Sequence, residues 1–568
     1  MNRQLPGRRH PAAWLAILAQ LAFIALPACA LAPQDRDDGD LAAYADKLLT
    51  EAYPAGEPGA AALVVKDGKT VLRKGYGLAN LELGVPVQPD MVFEIGSVTK
   101  QFTAAAILLL AERGLLSVDD EITRHLPDYP THGQKITINH LLTHTSGIPS
   151  YTGLPEWLPK VREDLKVEQL VAIFKDKPLE FAPGERWAYN NSAYILLGAV
   201  IEKVSGKTYE DFIEQEIFKP LGMTHSSYGH NNEVVPGRVD GYDKMAEGYR
   251  RAQYLSMTQP YSAGSLLSTV DDLARWSDAL WGGKVLKPES LERMLTPARL
   301  SSGRSTHYAY GLGIGEYAGR TIVEHGGGIF GFVCDTLRVP DEGIFVAILS
   351  NNTGSDPQPE ALTYRIAAKA LGQPLESRQA VKMDARALDE YAGVYRFPDN
   401  VIRIVSRDGD RLFSQRSGGE KLEIRAFAKD RFFIETSDNL LQFQRDAQGK
   451  IAGLDLQPRF GPDEPGVLTN EPPPAERQAI QVDPALFDAY AGVYELAPGF
   501  EIAITREGNQ IFAQPTGQPK LELFPESETK FFLKVVDAQI VFVRGENGSA
   551  ESLVLHQGGA ERPGKRVK

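Results

Sequence analysis

The spacing of apolar residues changes along the chain and predicts its secondary structure. Residues 41–53 carry apolar positions at helical spacing. "AALVVKDGKTVLRKGYG" then places two apolar runs around Asp67-Gly68, a strong hairpin signal. Helical patterns dominate from Ser97 to about Leu280.

Strand patterns return after this helical block. They cover residues 320–324, 333–339 and 344–349, and a helical pattern follows at 358–371. Strands at both ends of a helical block predict an α+β domain. Its antiparallel sheet would be built from both ends of the domain, with helices packed on it.

Beyond residue 380 the sequence repeats itself at an offset of 99 residues. "LDEYAGVY" (388–395) recurs as "FDAYAGVY" (487–494), and "RDGDRLFSQ" (407–415) recurs as "REGNQIFAQ" (506–514). One gapless register over this span indicates a duplication. Each copy alternates short strands with Gly, Asp and Asn turns, which predicts a small antiparallel β-barrel. With a Pro-rich spacer in "NEPPPAERQ", the predicted domains are 31–378, 379–474 and 475–568.

The N-terminus has the features of a secretory signal peptide. Three arginines precede the apolar run "AAWLAILAQLAFIAL", and small residues follow in "PACALA". Cleavage after Ala30 and lipid attachment at Cys29 are alternatives, and a single membrane anchor is a third, although the run is short for one. We therefore expect residues 1–30 to be a leader and the protein to be exported, either to the periplasm or medium or as an outer-membrane lipoprotein.

Charge and cysteine content restrict the partners. The 568 residues carry a net charge of −13, which argues against a nucleic-acid partner because phosphate binding needs clustered Lys and Arg. Cys29 and Cys334 are the two cysteines, and no zinc-ligand set or HExxH motif occurs, so we predict neither metal nor cofactor. Cys334 lies in the alternating stretch "FVCDTLRV" and is predicted to be a buried small hydrophobe.

The first candidate for chemistry is the Ser-x-x-Lys tetrapeptide that opens an apolar helix at Ser97. Lys100 lies one helical turn later on the same face, where a buried lysine of lowered pKa can activate a serine. Ser527 and Lys530 repeat the pattern but lead into a strand, so they serve as an internal control. The alternative is an N-cap serine with a solvated lysine.

The second candidate is "YNN" in "FAPGERWAYNNSAYILLGAVIEKVSG", just before a long apolar helix. Tyr189 can relay protons, and the amide of Asn191 can both donate to and accept from a peptide. The alternative is a structural helix start, with Tyr189 as filler and Asn191 as N-cap.

The third candidate is "TIVEHGGGIFGF", where His325 follows a β-branched run and precedes three glycines. A metal ligand, the HGGG oxyanion loop of lipases and a wall of another active site are three interpretations. The lipase loop needs a G-x-S-x-G elbow, which the chain lacks, and a metal site has no partner motif.

Together these motifs resemble the serine hydrolases of the class C β-lactamase, penicillin-binding protein and D-aminopeptidase superfamily. "ITINHLLTHTSGIPSY", "IFKPLGMTHSSY", "SAGSLLSTVDDLARWSDAL" and "YGLGIG" also fit that family, in the family's order, over nearly all of residues 40–370. The resemblance implies the β-lactamase-like transpeptidase fold. The two tail copies resemble, more loosely, the lipocalin-like C-terminal domains of D-aminopeptidase-type members. Capping of the active site and dimerisation are alternative roles for them.

The resemblance also implies roles for single residues. Ser97 would be the acylated nucleophile, Lys100 or Tyr189 the general base, and Asn191 a ligand of the substrate amide. The triplet beginning at His325 and ending at Gly327 would stand where the family often has Lys-Thr-Gly, on the edge strand of the sheet. The N–H groups of Ser97 and Gly328 would form the oxyanion hole.

His325 changes the substrate that the resemblance implies. The family's lysine is a lasting positive charge that receives a substrate carboxylate, whereas a histidine is largely neutral above pH about 6.5. We therefore expect amide hydrolysis of small D-residue or cell-wall-type peptides first and ester hydrolysis second. β-Lactamase or D-alanyl-D-alanine carboxypeptidase activity ranks third, and a non-catalytic ligand sensor or cell-wall-binding protein is the remaining alternative. His140 and His144 are predicted to be structural.

Overall fold

The computed structural model describes residues 38–567, apart from short gaps at 155, 246–247, 375–379, 399–400, 418, 420, 435–436, 458–462, 473–476, 478, 498–499, 516–519, 535–537, 546–547 and 558–559. The predicted leader, with its cleavage site after Ala30 and the lipidation site at Cys29, lies outside the described residues. Within them, none of the helices has both the length and the apolarity that crossing a bilayer requires.

An antiparallel sheet of six strands forms the centre of the N-terminal part, in the order β10-β11-β12-β13-β1-β2 once the strands are numbered along the chain. The strands up to residue 350 are β1 (Ala60–Lys66), β2 (Lys69–Tyr76), β3 (Leu78–Asn80), β4 (Val85–Pro86), β5 (Phe93–Glu94), β6 (Ser227–Tyr228), β7 (Tyr242–Met245), β8 (Gly248–Arg251), β9 (Leu266–Ser268), β10 (Gly313–Tyr317), β11 (Arg320–Ile329), β12 (Phe332–Val339) and β13 (Ile344–Ser350).

Helices cover both faces of this sheet. They are α1 (Asp38–Ala52), α2 (Thr99–Glu112), α3 (Ile138–Leu142), α4 (Val167–Ala172), α5 (Asn191–Ser205), α6 (Tyr209–Ile213), α7 (Lys219–Leu221), α8 (Tyr261–Gly264), α9 (Val270–Trp281), α10 (Pro288–Leu295) and α11 (Pro359–Ala370). The alternation of side chains along the central strands explains the layering. In β13, Ile344, Val346 and Ile348 join the core shared with α1 and α11, whereas Phe345, Ala347 and Leu349 join the larger core around α2 and α5.

Helix α2 is held firmly in that larger core. Phe102 packs against Trp276 and Phe218, with ring centroids 4.4 Å and 5.5 Å apart, and the Trp276 indole donates to Gln101 at 3.0 Å. Aromatic pairs of this kind contribute about 0.5–1.5 kcal/mol beyond their buried area. The start of α2 is therefore a rigid platform for any side chain that it presents.

The predicted α+β fold is confirmed, including the sheet built from both ends of the domain. The hairpin at Asp67-Gly68 is present, and both residues have positive φ (50° and 72°), which suits a two-residue turn. One detail differs. Strand β11 continues through the glycine run to Ile329 and is not the edge strand of the sheet, because β10 covers its first half.

Each of the duplicated segments forms a closed antiparallel barrel of eight strands, as predicted. The first contains β14 (Gly393–Arg396), β15 (Ile402–Asp408), β16 (Arg411–Arg416), β17 (Lys421–Ala428), β18 (Arg431–Ile434), β19 (Ser437–Arg445), β20 (Ile451–Gln457) and β21 (Glu464–Thr469). The second contains β22 (Gly492–Ala497), β23 (Phe500–Glu507), β24 (Gln510–Pro515), β25 (Leu521–Pro525), β26 (Lys530–Phe532), β27 (Ala538–Arg544), β28 (Ala550–Gln557) and β29 (Ala560–Arg566), preceded by α12 (Leu486–Tyr490).

The barrels repeat one internal contact at the same offset. The Tyr395 hydroxyl donates to the Tyr391 carbonyl at 2.7 Å, and the Tyr494 hydroxyl donates to the Tyr490 carbonyl at 2.8 Å. The predicted domain boundaries near 378 and 474 fall close to undescribed residues and stay predictions.

Candidate active site

Ser97 lies in a single 3-10 turn, Gly96–Val98, that runs directly into α2. Gly96 has φ +48°, and a Cβ there would lie 3.0 Å from the backbone nitrogen of Gly328. Glycine is therefore required on both counts, conformation and space. The result is a serine at a helix start, held against strand β11.

Lys100 is fully buried beneath this serine. Its Nζ lies 3.1 Å from Ser97 Oγ, 2.9 Å from Asn191 Oδ1 and 2.9 Å from the Ala263 carbonyl. A neutral amine has two N–H donors and one lone pair. The amide and the carbonyl can each accept one N–H, and the lone pair then faces the serine hydroxyl. Burial lowers the pKa of Lys100 well below its ordinary value, which favours this neutral form.

The "YNN" stretch brings its side chains to the same point from the start of α5. Asn190, rather than Asn191, is the N-cap, because its side chain accepts from the Ala193 N–H at 2.8 Å. This corrects the structural alternative drawn from the sequence and leaves Asn191 to reach Lys100. The Asn191 amide also donates to Thr152 Oγ1 at 3.1 Å, which fixes its orientation.

Tyr189 completes this side of the site. Lys100 Nζ lies 4.9 Å from the centroid of its ring. Desolvation raises the pKa of the Tyr189 phenol, while a hydrogen bond with Ser97 acts in the opposite direction. Tyr189 is nevertheless 38% exposed, so it lies between the buried lysine and the open pocket.

The second half of β11 presents a free backbone edge to Ser97. Tight turns join β10 to β11 before Arg320 and β11 to β12 after Ile329. They determine which residues of β11 hydrogen-bond to β10 and which to β12, because the bonds alternate along an antiparallel strand. By that alternation, His325, Gly327 and Ile329 bond to β12, whereas Gly326 and Gly328 point their N–H and C=O groups away from it. Because β10 pairs with β11 only as far as Glu324, the polar groups of Gly328 are open to the pocket.

The glycine run is required by packing as well as by access. A Cβ at Gly327 would overlap the Ile95 carbonyl oxygen and approach Cys334 Sγ to 2.6 Å, whereas a Cβ at Gly328 would meet nothing within 4 Å. Gly327 is therefore required by this close approach to Ile95 and Cys334. That glycine lets β11 approach the loop that carries Ser97.

His325 is buried, and its tautomer follows from its two partners. Nδ1 lies 2.6 Å from the Gly326 carbonyl, which can only accept, so Nδ1 carries the proton. Nε2 lies 2.8 Å from the Tyr308 hydroxyl, which must then donate. Burial, reinforced by Lys100, lowers the pKa of His325 to about 3, so the ring is neutral at physiological pH.

His144 is a residue whose place in the site the sequence argument missed. Its ring centroid lies 4.4 Å from that of Tyr189 and 4.6 Å from that of Tyr308. Its Nδ1 accepts from the Asn190 N–H at 3.1 Å, and its carbonyl accepts from the Ala188 N–H at 3.0 Å. The "LLTHTSG" stretch was predicted to be a structural turn, and no sequence signal links it to Tyr189. Nor did any signal single out Tyr308.

These residues surround one pocket of about 410 Å³. Ser97, Tyr189, His325 and the Gly326–Gly328 backbone line it together with Trp187, Tyr308, Glu324 and Glu360. Lys100 and Asn191 lie behind Ser97. All the sequence-predicted site residues thus meet at one place, although their individual roles stay predictions. Within the described ranges, no cluster of three His, Cys, Asp or Glu residues suits a metal ion.

The internal control behaves differently. Ser527 Oγ accepts from the Lys530 N–H at 3.0 Å, and Lys530 Nζ pairs with Glu526 at 3.2 Å while 39% exposed.

Cys334 is buried with its thiol donating to the Ile95 carbonyl at 3.1 Å, as expected of a packed hydrophobe.

The fold and the site define a class of serine hydrolases, and the comparison with known families agrees. The model of the Beta-lactamase family matches residues 46–371, and the chain therefore belongs to that family. The model of a domain of unknown function (DUF3471) matches residues 377–466 and 476–564, which cover the two barrels except for the ends of β21 and β29.

Similar proteins include penicillin-binding proteins and hydrolases of D-amino-acid compounds. "Penicillin-binding protein 4*" of Bacillus subtilis is 27% identical over 89% of this chain and 94% of its own length. The D-aminopeptidase of Gluconobacter oxydans is 27% identical over 59% of this chain and 63% of its own length. The crystal structure of a D-stereospecific amidohydrolase from Streptomyces sp. has a TM-score of 0.50 and 27% identity, over 58% of this chain and 99% of that one. The chain is thus a serine hydrolase of the β-lactamase and penicillin-binding protein group.

Proposed function

We propose that the protein hydrolyses small peptides or amides that begin with a D-residue, through an acyl-enzyme on Ser97. The observation that carries this proposal is the neutral His325, whose protons are fixed by Gly326 and Tyr308. A carboxylate beside the scissile bond would find no cation at this position. Substrates without such a carboxylate, including amino-terminal amides, suit the site better than β-lactams or free D-Ala termini.

The acylation step would use the neutral amine of Lys100. As Ser97 Oγ attacks the scissile carbonyl carbon, its proton passes to the lone pair of Lys100 Nζ. The Asn191 amide oxygen and the Ala263 carbonyl already accept the two N–H groups and would stabilise the ammonium formed. No side chain has to move before this transfer begins.

The oxyanion of the tetrahedral intermediate would lie between the N–H groups of Ser97 and Gly328. A donor of this kind lowers the barrier by about 3 to 4 kcal/mol. The Gly328 carbonyl shares the same free edge of β11, so it can accept an N–H of an extended substrate. The substrate would thus bind as a short additional strand.

Breakdown of the intermediate requires a proton for the leaving amine. Tyr189 is placed for this, because Ser97 is close enough to lower the pKa of its phenol and Lys100 Nζ lies 4.9 Å from the centroid of its ring. The phenol would give its proton to the leaving nitrogen and recover one from Lys100. A water molecule then attacks the ester on Ser97 by the same steps in reverse.

Two features support an amino-terminal substrate. Glu324 and Glu360 line the pocket and supply carboxylates that suit a free ammonium group. Two similar proteins are named a D-aminopeptidase and a D-stereospecific amidohydrolase. Export, which the leader predicts, would place the enzyme where cell-wall peptides occur, and it remains a prediction.

The test is a comparison of matched substrates on the purified full chain. D-alanine p-nitroanilide and L-alanine p-nitroanilide are compared with N-acetyl-D-alanine p-nitroanilide, D-alanine p-nitrophenyl ester and nitrocefin. We expect kcat/KM for the free D-anilide to exceed that for the L- and N-acetyl anilides at least about tenfold, with slow nitrocefin turnover. Faster turnover of the N-acetyl than of the free anilide would contradict the amino-terminal assignment. Turnover of the ester alone would indicate an esterase.

A further inference from the structure

A second cavity, of about 780 Å³, lies between the hydrolase domain and the first barrel. Arg186 and Arg304 line it from the hydrolase domain, and Arg403 and Arg416 line it from β15 and β16. We refer to it as the arginine cavity. Three carboxylates, Glu180, Glu185 and Glu464, also line its wall, so the cationic groups are in excess by one.

Three of these arginines lack a direct counter-ion. No carboxylate in the described part of the chain lies within 4.0 Å of the guanidinium of Arg304, Arg403 or Arg416, and Arg304 Nε is buried without a hydrogen-bond acceptor there. Arg403 donates to Ser414 Oγ at 3.0 Å, a neutral partner. Burial and the neighbouring Arg416 lower the pKa of Arg403, as expected for a cation that is poorly compensated.

The second barrel shows that the barrel fold does not need these charges. Arg403 and Arg416 face each other across β15 and β16, where like charges are destabilising. At the same offset and in the same register, the second barrel has Ile502 opposite Pro515. Only the copy that adjoins the hydrolase domain at this cavity carries the arginine pair. A ligand explains this difference better than folding does.

The arginine cavity adjoins the active site through one residue. Trp187 lines both cavities, and it lies directly after Arg186 and two residues before Tyr189. Since Tyr189 is the proposed donor to the leaving amine, the cavity lies on the leaving-group side. We propose that the arginine cavity binds carboxylate groups in the part of a peptide substrate beyond the scissile bond. This inference rests on the proposed function and names its substrate class as acidic peptides.

The positive charge lies in the arginine cavity and not at His325, and this placement affects which substrates can bind. Guanidinium groups bind carboxylates in two-point geometry, and a partly desolvated pair is stronger than an exposed one. The enzyme would then select an anionic peptide body through barrel residues, while the neutral His325 accepts a scissile bond with no carboxylate beside it. A role for the first barrel in substrate recognition follows.

The experiment measures binding without cleavage. Full-length Ser97→Ala protein is titrated by calorimetry with D-Ala-Ala-Glu-Glu and with amidated D-Ala-Ala-Gln-Gln. Versions of both peptides that are one and two alanines longer are included, so that the peptide length can match the distance between the active site and the arginine cavity. At low salt, we expect the best acidic peptide to bind about tenfold more tightly than its neutral counterpart. Adding Arg403→Gln and Arg416→Gln should reduce this ratio to about one. Arg403→Ile introduces the residue that the second barrel has at the equivalent position, Ile502, and should reduce the ratio in part.

Arg562→Gln is the matched control, because it removes one exposed arginine from the second barrel. It should leave the ratio unchanged. Equal binding of acidic and neutral peptides by the Ser97→Ala protein would overturn the inference, and so would a ratio that survives removal of both arginines. Cleavage of D-alanine p-nitroanilide by the protein with Ser97 intact tests the proposed function separately, so the two can fail independently.

Discussion

The chain contains two Ser-x-x-Lys tetrapeptides in contrasting environments. Lys100 is fully buried with two carbonyl acceptors and the hydroxyl of Ser97 around its Nζ. Lys530 is 39% exposed, and it forms an ion pair with Glu526. Ser97 opens a helix against a free strand edge, whereas the hydroxyl of Ser527 accepts backbone N–H groups in a turn of the second barrel.

The difference shows what converts this pattern into chemistry. A lysine becomes a base when burial removes the solvation of its charged form and leaves a lone pair facing the hydroxyl. At Lys530 the carboxylate and the solvent keep the charge in place. The Ser-x-x-Lys pattern specifies only that the two side chains are three residues apart. The surrounding fold determines whether the lysine can act as a base.

The largest difference between the two sites should appear when the serine of each is replaced by alanine. Ser97→Ala should lower kcat/KM for D-alanine p-nitroanilide by about 10⁴-fold or more, because it removes the hydroxyl that is hydrogen-bonded to Lys100 Nζ. Ser527→Ala should change it less than about twofold. It should instead lower the free energy of unfolding by about 1 kcal/mol, through loss of the acceptor for the Thr529 and Lys530 N–H groups.

Steady-state kinetics and mass spectrometry after fluorophosphonate treatment provide the measurement. The label should be on Ser97 and absent from Ser527. Labelling elsewhere, or a Ser97→Ala protein with normal turnover, would show that the buried site is not the catalytic one.

The next largest effect concerns the lysines and the pH dependence of the reaction. Lys100→Arg places a permanent cation at this position, and a guanidinium cannot accept a proton, so kcat/KM should fall by about 10²- to 10⁴-fold at every pH. Lys530→Arg should have no effect. In the unsubstituted protein the neutral amine is the active form. The rate should therefore fall as pH decreases through a pKa well below the ordinary lysine value.

The pH profile also tests whether Lys100 or Tyr189 is the general base. Burial lowers the pKa of His325 to about 3 and that of His144 well below its ordinary range, so neither should titrate between pH 5 and 8. An acid-side inflection that disappears in Lys100→Met, with residual activity independent of pH, would support Lys100. Persistence of the same inflection in Lys100→Met would assign it to another group and contradict the neutral-lysine mechanism.

The parts of the fold that depend on local patterns were predictable. The two-residue hairpin at Asp67-Gly68, the duplicated barrels and the first half of β11, residues 320–324, all follow from short-range periodicity and turn residues. The meeting of Ser97, Lys100, Tyr189 and Asn191 was predictable as well. It came from resemblance to a family, since nothing in the spacing of residues 97 and 189 shows that they touch.

Long-range packing set what could not be predicted. The need for glycine at position 327 comes from the Ile95 carbonyl, more than two hundred residues away. The start of β10 at Gly313, opposite Glu324, leaves the second half of β11 uncovered and is likewise a property of the assembled sheet. His144 and Tyr308 joined the site through ring contacts between segments far apart in sequence, and no periodicity encodes such contacts.

The smallest effect should separate His144 from His140, two histidines in and just after α3 that both accept a backbone N–H. His144→Phe removes the acceptor for the Asn190 N–H, which follows Tyr189, and should lower kcat about tenfold with little change in KM. His144→Asn should recover most of this loss. Its side-chain oxygen can replace Nδ1, and asparagine tolerates the φ of 59° found at this position.

His140→Phe is the matched control, because it removes the acceptor for the Thr137 N–H in a capping box away from the pocket. It should lower the melting temperature and leave kcat unchanged. If both phenylalanine variants lowered kcat equally, the loss would reflect general destabilisation. If His144→Asn were no better than His144→Phe, the packed imidazole ring rather than its acceptor nitrogen would hold Tyr189. The contrast between the two serine sites would then depend on aromatic packing as well as on the burial of Lys100.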